Sequence, residues 1–181
     1  MVDVAKVRMF GQNIGTFVWD DSYRVARFEY DNDFVGKGIE PSPIMMPVQQ
    51  GRIYSFGGLN WDTFNGLPGM LADSLPDTYG RALFDQWLTL TGRTTSNPVE
   101  SLCFLGQRCM GALEFEPATG PSSDANMKFE IDTLIDVARE ALSKKKDFGV
   151  NLDVDRKAAI AEILRLGTSA GGQRAKAIIA Y

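Results

Sequence analysis

The stretch "VRMFGQNIGTFVWD", residues 7–20, sets two apolar-rich runs on either side of Gly11-Gln12-Asn13. Glycine and asparagine supply the left-handed backbone that a tight reversal needs, so a β-hairpin is expected with its turn near those residues. Directly after it, "YRVARFEY" alternates. Tyr23, Val25, Arg27 and Glu29 fall on one side, and Arg24, Ala26, Phe28 and Tyr30 on the other. Successive side chains of a strand point to opposite faces, so this reads as a further strand with one mixed face, as near a sheet edge. Residues 31–51 scatter Gly and Pro around short apolar runs such as "PIMMPV" and read as extended or looped chain. The first third therefore predicts a small, twisted antiparallel sheet.

The pattern changes at "FNGLPGMLADSLPDTYGRALFDQWLTLTGR", residues 64–93. After Pro76, the residues Tyr79, Leu83, Phe84, Trp87, Leu88 and Thr91 recur at helical spacing, an apolar stripe wide enough to pack against the sheet. Asp77 or Ser74 can cap its start and Gly92 can end it. "SNPVESLCFLG", residues 96–106, carries a full start signal: Asn97 as cap, Pro98 at the first helical position, Glu100 three residues beyond the cap. That helix is expected to stop around Gly106. "MGALEFEP" then alternates Met110, Ala112 and Phe115 into a strand closed by Pro117, and "ATGPSSDAN" reads as a surface loop. Two more helices are expected, in "FEIDTLIDVAREALSKKK" and "DVDRKAAIAEILRLG". The order gives an α+β fold, a small twisted antiparallel sheet with packed helices. The expected division is 1–120, strands plus two helices, and 121–181, a helical segment with a glycine-rich turn.

Composition narrows the chemistry. The chain has 181 residues, 44% of them hydrophobic, long enough for one sizeable core or two small lobes. Nineteen basic and 23 acidic residues leave a net charge of -4, which disfavours wrapping of nucleic acid. No run approaches the length of a membrane span, and "MVDVAKVRMF" lacks the layout of a signal peptide, so the expected location is the cytoplasm. Histidine is absent, which removes the commonest metal ligand and neutral-pH proton shuttle, and no metal site is expected. Cys103 and Cys109, in "CFLGQRC", do not form a CxxC motif and read as reduced, partly buried fillers beside a turn. Asp77 reads as a helix cap rather than a catalytic acid. Lys144, Lys145 and Lys146 read as a solvated helix end.

One segment has phosphate-handling character. In "GTSAGGQRAKAII", residues 167–179, small residues permit a tight curve whose amides could face a phosphate, with Lys176 adding positive charge and Ser169 a hydroxyl. It lacks the GxxxxGK[ST] spacing of a Walker A loop and leads into a strand-like run. A glycine-rich turn before a strand is closer in layout to the nucleotide-covering loop of protein kinases. A helix end followed by a flexible turn is the alternative reading.

Three segments together carry a family resemblance. "GLPGMLADSLPDTYGRALFDQWL", "LCFLGQRCMGALEFEP" with its Gly111-Ala112 pair, and "GTSAGGQRAKAII" resemble, in order and spacing, the N-terminal part of the HipA family. These are serine/threonine kinase toxins of bacterial toxin–antitoxin systems. The resemblance implies the N-terminal lobe of such a kinase, with 121–181 beginning its nucleotide lobe. Ser169 matches the serine that such kinases autophosphorylate. Ala170, Gly171, Gly172 and Gln173 match the loop over the ATP phosphates, and Lys176 matches its lysine. Ala175 stands where a proline is frequent. ATP and Mg2+ are implied for the complete kinase, together with a protein substrate and a cognate DNA-binding antitoxin, with DNA contacted only through that partner. The lysine, magnesium-binding and acceptor-orienting residues that the reaction needs lie beyond this loop in the family. The expectation is therefore an N-terminal fragment with no catalytic residues of its own, inactive alone. The rival expectation is a stand-alone interaction module or split-system subunit that binds a kinase or antitoxin. It would expose an apolar patch including some of Met45, Met46, Trp61 and Phe64.

Overall fold

The expected hairpin turns at Phe10-Gly11, joining β1 (Val4–Met9) to β2 (Gln12–Asp20) in a computed structural model that describes residues 1–120. Phe10 and Gly11 have φ of 50° and 76°, the hand whose twist matches that of the flanking strands. β3 (Val25–Tyr30) pairs with the other side of β2, and a two-residue β4 (Ile53–Tyr54) lies beyond β3. β5 (Leu113–Glu116) returns from the far end of the described chain to pair with β1. The sheet order is β4-β3-β2-β1-β5, antiparallel at every pairing.

Register places the apolar residues on one face. Ala5 opposes Phe17, Phe17 opposes Phe28, Phe28 opposes Tyr54, and Val7 opposes Phe115. All of these are buried. The register shifts between Val7 and Arg8, and the extra residue, Ile14, is fully buried. Gly15 lies between Val7 and Tyr30 on the covered face because a Cβ there would stand 2.5 Å from the Phe28 ring. The aromatic residues meet edge to face, Phe17 with Phe115 at 5.9 Å and Phe28 with Tyr30 at 4.8 Å between ring centroids.

Among the described residues, four helices follow β4: α1 (Trp61–Phe64), α2 (Gly69–Ala72), α3 (Thr78–Leu90) and α4 (Pro98–Leu105). α4 packs on the sheet, where Val99, Leu102 and Cys103 join the core. Its start follows the sequence signal: Asn97 Oδ1 accepts from Glu100 N–H at 2.8 Å, with Pro98 in the first turn. The same amide donates to Val2 O at 3.1 Å and Asp3 Oδ1 at 2.7 Å, tying the helix to the start of the chain. Gly106 ends α4. α3 is capped by Asp77, whose Oδ1 accepts from Gly80 N–H at 2.9 Å, and buries Leu83, Phe84 and Leu88.

The chain packs as two units. The first comprises Met1–Leu75 and Ser96–Thr119 and holds the sheet with α1, α2 and α4; α3 belongs to the second, through Pro76–Thr95.

Three short elements, β4, α1 and α2, stand where the sequence shows no periodicity. The last strand is shorter than the alternation suggests. Met110 and Ala112 are exposed, and pairing begins at Leu113. The helices expected in 129–146 and 153–167 lie outside the described residues. Among the described residues, no helix is long and apolar enough to cross a membrane.

Candidate functional site

Ser169, Ala170, Gly171, Gly172, Gln173 and Lys176 lie outside the described residues. The geometry that bears on function is therefore that of the sheet unit and its surface. Among the described residues, no group of three or more Cys, Asp or Glu side chains could hold a metal ion. Asp77 caps α3, and Asp85 pairs with Arg81 at 3.3 Å one helical turn away.

The two thiols are free and serve as packing. Cys103 is fully buried, and Cys109 is part-buried with its Sγ 3.5 Å from Gly106 O. Burial pushes the Cys103 thiol up to about 12, with Glu100 adding to the effect. Burial likewise pushes Cys109 up to about 12, against a smaller opposing pull from Arg108. Neither is a thiolate near neutrality, so neither is a ready nucleophile. Arg108 turns back to donate to Phe104 O and Leu105 O, closing the carbonyl end of α4. A thiol that ionises less readily folded than unfolded stabilises the fold below the unfolded value near 9.0, and that stability is lost as pH rises toward about 12. Urea unfolding is expected to show a loss on the order of 2–3 kcal/mol between about pH 8 and about pH 10, about half of it removed by replacing Cys109 with Ser.

The outer face of the sheet carries Lys6, Thr16, Glu29 and Glu116 along one row, and Val4, Val18 and Arg27 along another. Its charges pair across strands, Arg8 with Glu116 and Arg27 with Asp20, each at 2.7 Å. The bond from Arg27 holds the half-buried Asp20 carboxyl below its ordinary value. Two strand margins carry a bond to a loop carbonyl. Phe115 N–H donates to Gly106 O at 3.1 Å, and Ala26 N–H to Gly66 O at 2.8 Å. At those two points a docking protein would use side chains rather than extend the sheet.

The loop between β3 and β4 offers such side chains. Tyr30 donates to Met46 O at 2.8 Å, Tyr54 donates to Pro47 O, and Glu40 Oε2 accepts from Val48 N–H at 2.8 Å. Pro41, Pro43 and Pro47 restrict the backbone between these anchors. The braced loop displays Ile44, 89% exposed, and Met45, 59% exposed. The apolar patch expected from sequence thus divides. Met45 and Trp61 are exposed, Phe64 is half-buried, and Met46 is a core residue at 1%. Ile44 lies outside the expected patch, although three nearby prolines mark a loop stiff enough to hold it outward.

A family model described as the HipA N-terminal domain matches residues 5–116, more than half of the chain and from within β1 to the last residue of β5. No curated protein matches, and no solved structure matches.

Proposed function

From the premise that this chain belongs to the HipA N-terminal domain family through residues 5–116, we propose that it supplies the N-terminal lobe of a HipA-like protein serine/threonine kinase, the toxin of a toxin–antitoxin pair. The observation that carries this reading is the match itself, which runs from within β1 through α4 to the end of β5. The reaction of such a kinase moves the γ-phosphoryl group of ATP to a serine or threonine hydroxyl of a protein. It proceeds by positioning and charge stabilisation with Mg2+. In this chain, amides of residues 170–173 would lie over the phosphates, with Lys176 adding charge and Ser169 offering a hydroxyl for autophosphorylation. The acids that bind magnesium and orient the acceptor hydroxyl come from outside these 181 residues, and the chain alone is inactive. The location is the cytoplasm, the partner a DNA-binding antitoxin. A net charge of -4 suits contact with DNA through that partner.

Calorimetric titration of the chain with ATP and Mg2+ is expected to give no measurable binding, and radiolabelled ATP no phosphoprotein. Adding the kinase's catalytic segment should restore labelling, with Ser169→Ala removing the label from this chain. Micromolar ATP binding by the chain alone contradicts its inactivity, and failure of the supplemented protein to label contradicts the kinase assignment.

A second reading, a stand-alone interaction module acting on a kinase or antitoxin, is favoured by the braced display of Ile44 and Met45. It stands if the supplemented protein never labels.

A further inference from the structure

The arginines of the described residues are nearly all engaged. Arg8 bonds Glu116, Arg27 bonds Asp20, Arg52 bonds Gln49, Arg81 bonds Asp85, Arg93 bonds Thr95 O, and Arg108 bonds the end of α4. Arg24 differs. Among the described residues it is the one arginine whose guanidinium makes neither a hydrogen bond nor an ion pair, and Asp21 and Asp62, its close acidic neighbours along the chain or beside Trp61, do not pair with it.

Its guanidinium is nevertheless held in place. The Arg24 Cζ lies 4.1 Å from the centroid of Trp61, whose ring stands 6.2 Å from that of Trp19. Trp19 is nearly buried, and its indole N–H donates to Asp21 Oδ1 at 3.3 Å. The result is a layered stack in which a buried tryptophan supports a half-exposed one, and that one supports a cation. Arg24 also has φ of 52°, a left-handed backbone that glycine or asparagine would adopt at lower cost. Beside it, Tyr23 is 73% exposed, with the neutralised Arg27 5.6 Å from its ring.

We propose that Arg24 and Trp61 form a docking site for a protein partner that presents an aspartate or glutamate carboxylate flanked by apolar side chains. A planar guanidinium with free N–H donors matches a carboxylate in two parallel bonds. With one face on Trp61, it is ordered before the partner arrives, so less side-chain entropy is lost on binding. Arginine and tryptophan are also among the residue types that carry most interface energy, and here Arg24 and Trp61 are in contact. The chain's net charge of -4 repels an extended polyanion such as nucleic acid, whose affinity rests on many phosphate contacts, while leaving a single carboxylate free to bind at contact range. This site does not depend on the kinase assignment.

The test uses the full chain and a dye-labelled, end-capped peptide with a single glutamate between leucines in a glycine–serine frame, read by fluorescence anisotropy. The same peptide with glutamine for glutamate, and a short duplex DNA, are the comparisons. The glutamate peptide is expected to bind at least tenfold more tightly than the glutamine peptide or the DNA. Arg24→Asn, which keeps a residue suited to the left-handed turn, and Trp61→Ala should each weaken it at least tenfold. Arg24→Lys, which keeps charge but loses the planar fork, should also weaken it, and Arg52→Asn should leave it unchanged. A melting curve no lower for Arg24→Asn than for the parent shows that the fold is intact. Equal binding of the two peptides, no binding of the glutamate peptide, tighter binding of DNA, or binding unaffected by Arg24→Asn overturns the proposal.

Discussion

Gly66→Ala is expected to cost the sheet unit about 3 kcal/mol or more, among the largest effects of a single methyl group in this protein. Gly66 has φ of 74°, and an added Cβ would collide with the Arg24 carbonyl oxygen while standing 2.9 Å from Trp61 and 3.2 Å from Trp19. The backbone has little room to retreat, because Gly66 O accepts from Ala26 N–H and the next amide, Leu67 N–H, donates to Phe64 O at 2.8 Å. The cost thus combines left-handed strain for a residue with a Cβ and a clash with main chain. Urea unfolding measures it directly. A loss under about 1 kcal/mol would contradict the close approach of the 64–67 turn to the start of β3. The same variant should disturb the fluorescence of Trp61 and Trp19, since both rings lie against the new methyl group.

Phe17→Ala is the second large effect, about 3–5 kcal/mol. Phe17 is fully buried on the central strand, between Ala5 and Phe28 in the register and 5.9 Å from Phe115. Truncation removes a ring from the point where three strands contribute to the core, and a strand backbone cannot easily collapse into the cavity. A small domain has about 5–15 kcal/mol in total, so this change would take a large share of it. Thermal unfolding followed by near-ultraviolet dichroism checks it. Val18→Ala, one residue along and 42% exposed on the opposite face, is expected to stay within about 0.5 kcal/mol. If the two variants melt alike, the assignment of faces is wrong.

The strands were legible because a half-buried sheet imposes a period of two, and "VARFEY" keeps it from Ala26 on: Ala26, Phe28 and Tyr30 are buried and Arg27 and Glu29 exposed, while Val25 at the strand's start is buried as well. That alternation was extended too far at its start, since it put Arg24 on the same side as Ala26. Arg24 belongs to the turn, where the pleat has not begun, and its side chain is exposed. α4 was legible because its cap and proline are local chemistry, as was the Asp77 cap of α3. α1 and α2, four residues each, are too short to show a helical period, and β4 exists through its pairing with Phe28 and Glu29. The Arg24–Trp61 stack was hidden for a related reason: no local pattern reports that a turn after β2 meets a residue beyond β4. Met46 was read with its exposed neighbour Met45 because identical residues carry no signal of which one turns inward; the Tyr30 hydroxyl on its carbonyl decides that.

The pairing of β5 with β1 has a consequence during synthesis. Arg8 and Glu116, which bridge these strands, stand 108 residues apart. At ~5–20 residues per second, β1 leaves the ribosome roughly 5 to 20 seconds before the strand that will cover its outer edge. During that interval β2 and β3 can form a three-stranded ribbon with β1, but one margin of it is open to any passing chain. Lys6 and Arg8 lie on that margin strand, where their charges oppose stacking of one nascent ribbon on another. The late arrival of Leu113–Glu116 is thus the step that ends the vulnerable period, and Glu116 then neutralises the charge that guarded it.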